Sequence, residues 1–154
     1  MANTQAMATS FKVDLLNGIH AFGTSVVRAG TTADSFKAAL YLVTATMDST
    51  ATAYTATNEV SGSGYSAGGV DLTGATDWIA PTSTSTTAFS TPTASIVYTT
   101  VTLATAFDAV LIYNSTQSNK AVSVHTFGSQ TVTAGTFTLT MPTNDSTNAL
   151  IRLA

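Results

Sequence analysis

Two histidines are the side chains of this sequence that are best suited to acid–base or metal chemistry. His20 and His125 lie far apart in the chain, and neither belongs to an H-x-x-x-H or H-x-x-E-H pattern. Zinc enzymes use such spacings to bring their ligands together. The chain has no cysteine, which excludes thiolate ligands and disulfides. We therefore predict that both histidines are surface or interface residues, and that the chain binds no metal or cofactor.

Hydroxyl and carboxyl groups are the other candidates for catalysis. A serine nucleophile needs a neighbouring base and an oxyanion site, and no G-x-S-x-G elbow occurs. Gly62-Ser63-Gly64 resembles a glycine-flanked serine, but its surroundings favour a turn. Glu59 is the only glutamate, and the aspartates stand singly, so nothing marks the paired carboxylates of a glycosidase. We predict no catalytic residue. An enzyme would require an unexpected cluster around Glu59 or His125.

Phosphate, nucleic-acid and membrane binding are also disfavoured. The glycines of residues 62–69 are not followed by the Lys-Ser/Thr ending of a phosphate loop. The net charge is −3, and the five basic residues are too scattered to neutralise neighbouring phosphates. No apolar run reaches the roughly 18 residues of a membrane span, and no signal peptide is evident at the start. We expect no nucleic-acid or membrane partner.

The composition points to a β-rich fold with an uncharged surface. Hydrophobic residues make up 44% of the 154 residues, enough for a core, whereas only 8% are charged against about 25% in ordinary domains. Threonine and serine replace the charged residues, and threonine suits a half-exposed strand. A surface with so little charge is weakly protected against association. We therefore expect a homo-oligomer or a larger assembly, with a trimer as one arrangement.

The elements that would position these residues are mostly strands. Residues 1–10 read as a flexible arm and residues 11–154 as one domain, which begins with a short helix over Phe11 to Phe22. Strands are predicted where β-branched and alternating residues concentrate. With strands at intervals of about ten residues, the sequence predicts an all-β, jelly-roll-like β-sandwich. The predicted strands are 36–46, 70–72, 77–79, 96–103, 107–113, 121–127, 136–141 and 149–153.

Aromatic residues in and beside the polar middle of the chain allow two interpretations. They could anchor an interface, as large aromatics do in binding hot spots, or they could fill the core. The sequence leaves both open for Tyr54, Tyr65, Trp78, Phe89 and Tyr98.

Several collinear segments resemble a family of small virion proteins encoded in tailed-phage genomes. The most characteristic is Ala109 to Val124 (AVLIYNSTQSNKAVSV), and none of the segments is a chemical motif. Residues 23–34 read as an insertion relative to the family, and residues 77–100 depart from its pattern. The other matching segments are Phe11 to His20, Ser35 to Tyr41, Thr52 to Gly69, Gly135 to Pro142 and Thr147 to Leu153.

The resemblance implies a structural part in the virion. Members decorate or reinforce the head, or they sit on the tail. We therefore expect a non-enzymatic capsid decoration (cement) protein that is made in the host cytoplasm, binds across major capsid subunits and stabilises the head. The alternative is a tail- or fibre-associated module that contacts a host surface, for which exposed aromatic residues lining a groove are expected. A free-standing adhesion domain is a further alternative.

Overall fold

A computed structural model describes residues 3–8, 10–11, 15, 19–20, 22, 33–72, 77–84 and 87–153. Their strands form two antiparallel sheets, one of five strands in the order β1-β7-β6-β2-β3 and one of three in the order β4-β5-β8. The predicted all-β fold is confirmed, and the two sheets are consistent with the predicted β-sandwich. The strands are β1 (Ala6–Met7), β2 (Phe36–Leu42), β3 (Val70–Asp71), β4 (Thr82–Thr84), β5 (Thr87–Ser90), β6 (Ile96–Asn114), β7 (Lys120–Leu139) and β8 (Ile151–Leu153).

The long hairpin β6–β7 is the largest departure from the predicted strands. Four predicted strands (96–103, 107–113, 121–127 and 136–141) merge into two of 19 and 20 residues. No turn forms between the members of each pair, because register shifts absorb the breaks in alternation. Thr100 and Ala134 have positive φ within these strands. The hairpin reverses between Asn114 and Lys120.

The first residues of the chain pack against the large sheet. Ala6 and Met7 pair with Val124 and Ser123 of β7, and Ala8 is fully buried. Residues 3–8 of the predicted arm therefore lie on the domain, while the flexibility of the arm stays a prediction. The short helix predicted over residues 11–22 is not seen among the elements of the described part, and most of its residues lie outside that part.

Two segments, residues 3–8 and residues 52–60, cross the large sheet on opposite faces. Side chains alternate between the faces of a strand, so Phe36 of β2 and Asn114 of β6 point to one face, and Tyr41 and Tyr113 to the other. The first face carries an aromatic cluster of Phe11, His20, Phe22, Phe36 and Trp78 with ring centroids 4.8–6.2 Å apart.

On the second face lies a segment that we call the crossing loop, residues 52–60. Ala53 forms a bridge with Lys120 at the edge of β7, and Glu59 forms one with Tyr41 at the edge of β2. Between these anchors, Tyr54 stacks on Tyr113 at 5.0 Å. A segment without regular structure is thus held at both sides of the sheet.

Candidate interaction surface

Glu59 is the centre of a hydrogen-bond network that contains no second carboxylate. Its Oε1 accepts bonds from the Tyr65 hydroxyl and the Gly68 amide, and its Oε2 accepts one from the Tyr54 hydroxyl, each at 2.7 Å. A carboxylate satisfied by three donors is a strong structural tie. The arrangement ties the crossing loop to the residues that follow it.

The tyrosines of the chain bind backbone groups around this network. Hydroxyls of Tyr41, Tyr98 and Tyr113 donate to the carbonyls of Thr55, Ala38 and Gly68 at 2.6–2.8 Å. Burial raises the pKa of Tyr54 and Tyr113 to about 12, the hydrogen bond to Glu59 adding to the shift for Tyr54. Burial moves the pKa of Tyr41, Tyr65 and Tyr98 further up. These hydroxyls therefore stay protonated as donors.

His125 lies on β7 away from Glu59. Its Nε2 is 2.9 Å from the Ser123 hydroxyl, and burial lowers the pKa of the imidazole to about 4. His125 is half-buried in the isolated chain, and its place at a surface or an interface stays a prediction.

His20 lies at the other end of the same sheet, in a buried polar group. Its Nδ1 is 3.0 Å from Nδ2 of Asn114, which also donates to Asp34 at 2.8 Å. Gln117 donates to the second oxygen of Asp34. His20 is 8% exposed and packs on Phe11, so it is buried and does not lie on the surface of the isolated chain, whereas an interface role stays a prediction. The described residues contain no group of three His, Asp or Glu that could hold a metal ion.

Gly62-Ser63-Gly64 is a place of close backbone approach. Ser63 forms a bridge with Thr102 of β6 and accepts the Thr102 amide at 2.8 Å. A Cβ at Gly62 would lie 2.0 Å from the Thr102 carbonyl oxygen. The glycines allow this segment to lie against β6, which agrees with a loop and accounts for both glycines without a catalytic serine.

The aromatic residues belong to the core of the chain. Every Phe, Tyr and Trp is among the described residues, and all are buried or half-buried. Trp78, Phe89 and Tyr98 are at most 7% exposed. Tyr54 and Tyr65 are half-buried by the Glu59 network. In the isolated chain these five side chains pack internally, as the core interpretation has it, and none offers an exposed anchor.

An uncharged face lies exposed on the open half of the hairpin. Residues 78–107 and 121–144 contain no Asp, Glu, Lys or Arg. In this half Ile96, Tyr98 and Leu103 point inward, and the alternate residues point out. Val97, 40% exposed, pairs with the exposed Thr138. We call the exposed residues the threonine face: Val97, Thr99, Thr100, Ala104, Thr105, Thr131, Thr133, Ala134, Thr136 and Thr138.

The edge beside this face is open among the described strands. β1 pairs with β7 only at Ser123 and Val124, so β7 has no second partner strand from Thr126 to Leu139. Open edges invite pairing with other chains, and bulges limit it. Here a register shift between Val101 and Leu103 and the positive φ of Ala134 interrupt the edge. These interruptions limit strand pairing at the edge.

No family model, curated protein or solved structure matches this chain. Among the described residues there is no helix with the length and apolarity that a membrane crossing requires. Sequence reasoning missed Glu59 as the organiser of the fold. The available signal was a single glutamate in a polar loop with Tyr54 and Tyr65 on either side.

Proposed function

We propose that the chain is a non-enzymatic structural protein of a tailed-phage virion, acting as a decoration protein that binds across major capsid subunits. The observation that carries the proposal is the threonine face, an exposed sheet surface without a single charged residue. A charge-free surface loses little hydration when it is covered, because no ion has to be desolvated. The resemblance stated for the sequence gives the virion context, and homo-oligomers on the capsid surface fit the same chemistry.

The physical effect of such a protein is linkage. A chain that binds only the assembled, expanded shell stabilises that shell by mass action. Two strands over about ten residues span roughly 33 Å by 10 Å, so the threonine face supplies only about 330 Å² per copy. Stable pairwise interfaces bury about 800 Å² per partner. A contact of this size therefore works through many copies held in an array.

Burial of the aromatic residues favours the decoration protein over the tail-associated alternative. A host-binding module is expected to show exposed aromatics along a groove, and every aromatic residue here is buried or half-buried. Within the described residues the large apolar side chains with the greatest exposure are aliphatic: Ile79, Val97 and Leu153 at 38–43%. No observation on the chain itself favours the tail.

Binding to capsids tests the proposal. Expanded capsids of the encoding phage that lack the chain are mixed with purified protein, sedimented, and imaged by cryo-EM. We expect co-sedimentation and density at capsomer junctions. Thr136→Lys should abolish binding, whereas Thr57→Lys, at an exposed threonine of the crossing loop, should bind normally. Density only at the tail vertex would favour the tail-associated alternative over the decoration protein. No association with the capsid or the tail would overturn the virion proposal.

A further inference from the structure

Residues 3–8 cross the large sheet on the face opposite the crossing loop, and we call them the N-terminal strap. One end is held at the edge of β7, where Ala6 pairs with Val124 and the Ala8 amide donates to the Val122 carbonyl at 3.2 Å. The other end is held by Asn3. Its side chain donates to the Leu42 carbonyl at 3.1 Å, accepts the Met47 amide at 3.0 Å, and bonds to Asp108 of β6.

The path of the N-terminal strap follows from these anchors. Ala6 lies one strand outside β7, and Asn3 binds a side chain of β6. The distance is two strand spacings of about 4.8 Å, which three extended residues cover at about 3.3 Å each. The strap therefore passes over β7 on its way to β6.

His125 directly follows Val124, the partner of Ala6 on β7, and so lies next to this path. Asp108 and Val110 alternate along β6 to the same face, the face on which Asp108 meets Asn3. Val110 pairs with His125, so the imidazole points to that face as well. Its partner Ser123 is 1% exposed and is itself the residue with which Met7 pairs.

Few charged groups face the imidazole. The strap has no titratable side chain between residues 3 and 8. β6 contributes Asp108, which Asn3 binds, and further along this face His20 and Asp34 bind Asn114. Burial lowers the pKa of His125 to about 4.

We propose that the N-terminal strap is an acid-released device: protonation of His125 detaches β1 from β7 and frees the edge of β7 at Val122 to Val124. The imidazole is half-buried with the strap closed, and the protonated ring needs more hydration than this position allows. Release would lengthen the open edge that β7 already presents from Thr126 onward. This proposal is independent of the proposed function, since it concerns the isolated chain.

The sign and size of the effect follow from linkage. With the strap closed the pKa of His125 is about 4, and in the open state the ring returns to about 6.5. Because the closed pKa is the lower one, closure is fully stable above pH 6.5 and weakens as the pH falls. Between pH 7.5 and pH 5 the opening equilibrium should rise about 30-fold, a factor of ten per unit below 6.5.

Hydrogen exchange of the whole chain measures this opening. The Ala8 amide, corrected for the intrinsic pH dependence of exchange, should show about 30-fold less protection at pH 5 than at pH 7.5. Amides of β2 paired with β6, such as Ala39, should keep theirs. Trp78 is the only tryptophan of the chain and is buried. Its fluorescence therefore reports global unfolding separately.

Two matched variants decide whether His125 is responsible. His125→Gln keeps a neutral polar side chain and should abolish the pH dependence at Ala8. His20→Gln, at the second histidine of the same face, should retain the 30-fold change. Equal protection at both pH values in the native chain would overturn the proposal, as would a persistent change in His125→Gln. If His125→Gln does not fold, His125→Asn takes its place, and the comparison of the native chain at the two pH values tests the proposal without any variant.

Discussion

The N-terminal strap and the crossing loop span the same sheet between β7 and β2, but they are held in different ways. The crossing loop has a carboxylate with three donors, tyrosine hydroxyls on backbone carbonyls, and a bridge at each edge. The strap has two paired residues at one end and one asparagine at the other, with His125 next to the paired residues. The difference teaches that an irregular segment can be fixed as firmly as a strand when its polar groups are all satisfied.

The largest loss of stability is expected at Gly69, which follows the Gly68 amide bound to Glu59. Gly69 has φ +75°, and a Cβ there would lie 1.7 Å from the Ala38 carbonyl oxygen of β2. Gly69→Ala must therefore displace backbone and also strain the left-handed conformation, and we expect a loss of about 4 kcal/mol or more. Urea unfolding measures it. Gly128→Ala is the matched control, because nothing lies within 4 Å of its Cβ, and a similar loss there would refute the steric account.

Removal of the Glu59 carboxylate should cause the second-largest loss of stability. Glu59→Ala leaves the Tyr54 and Tyr65 hydroxyls and the Gly68 amide without their acceptor. At about 1–3 kcal/mol for each buried group left unpaired, partly relieved by water, we expect a loss of about 3 kcal/mol in the free energy of unfolding. Glu59→Gln keeps one oxygen acceptor and should lose about half as much. Equal losses for the two variants would mean that packing, not hydrogen bonding, holds the crossing loop.

The sequence predicted the elements of this comparison unevenly. The alternation of Val122 and Val124 and the β-branched run after Ile96 indicated the strands correctly, because local pattern and burial agree there. The single hairpin was not predictable from pattern, since bulges at Thr100 and Ala134 break the alternation without ending a strand. The positions of Glu59 and His125 depend on segments that cross the sheet, and a periodicity within one strand cannot report what covers it.

A substitution in the N-terminal strap should have a smaller and more local effect on stability. Asn3→Ala removes the bonds to Leu42, Met47 and Asp108, while the pairing of Ala6 remains. We expect about 1–2 kcal/mol less protection of the Ala8 amide in hydrogen exchange at pH 7.5, with the midpoint of global unfolding nearly unchanged. A global loss as large as that of Glu59→Ala would show that the strap and the crossing loop are equal parts of one cooperative unit.

The smallest effect on stability is expected on the half of the hairpin that neither segment crosses. Thr136 is exposed and follows Gly135 at the bulge, and its neighbour Phe137 points inward against Phe107 and Tyr98. Thr136→Lys adds a charge in water and removes no internal contact, so the free energy of unfolding should change by less than about 0.5 kcal/mol. Thermal unfolding beside the native chain measures it. A near-zero change makes a loss of capsid binding by this variant attributable to the surface, whereas a loss of more than about 1 kcal/mol would mean that the threonine face helps to hold the fold.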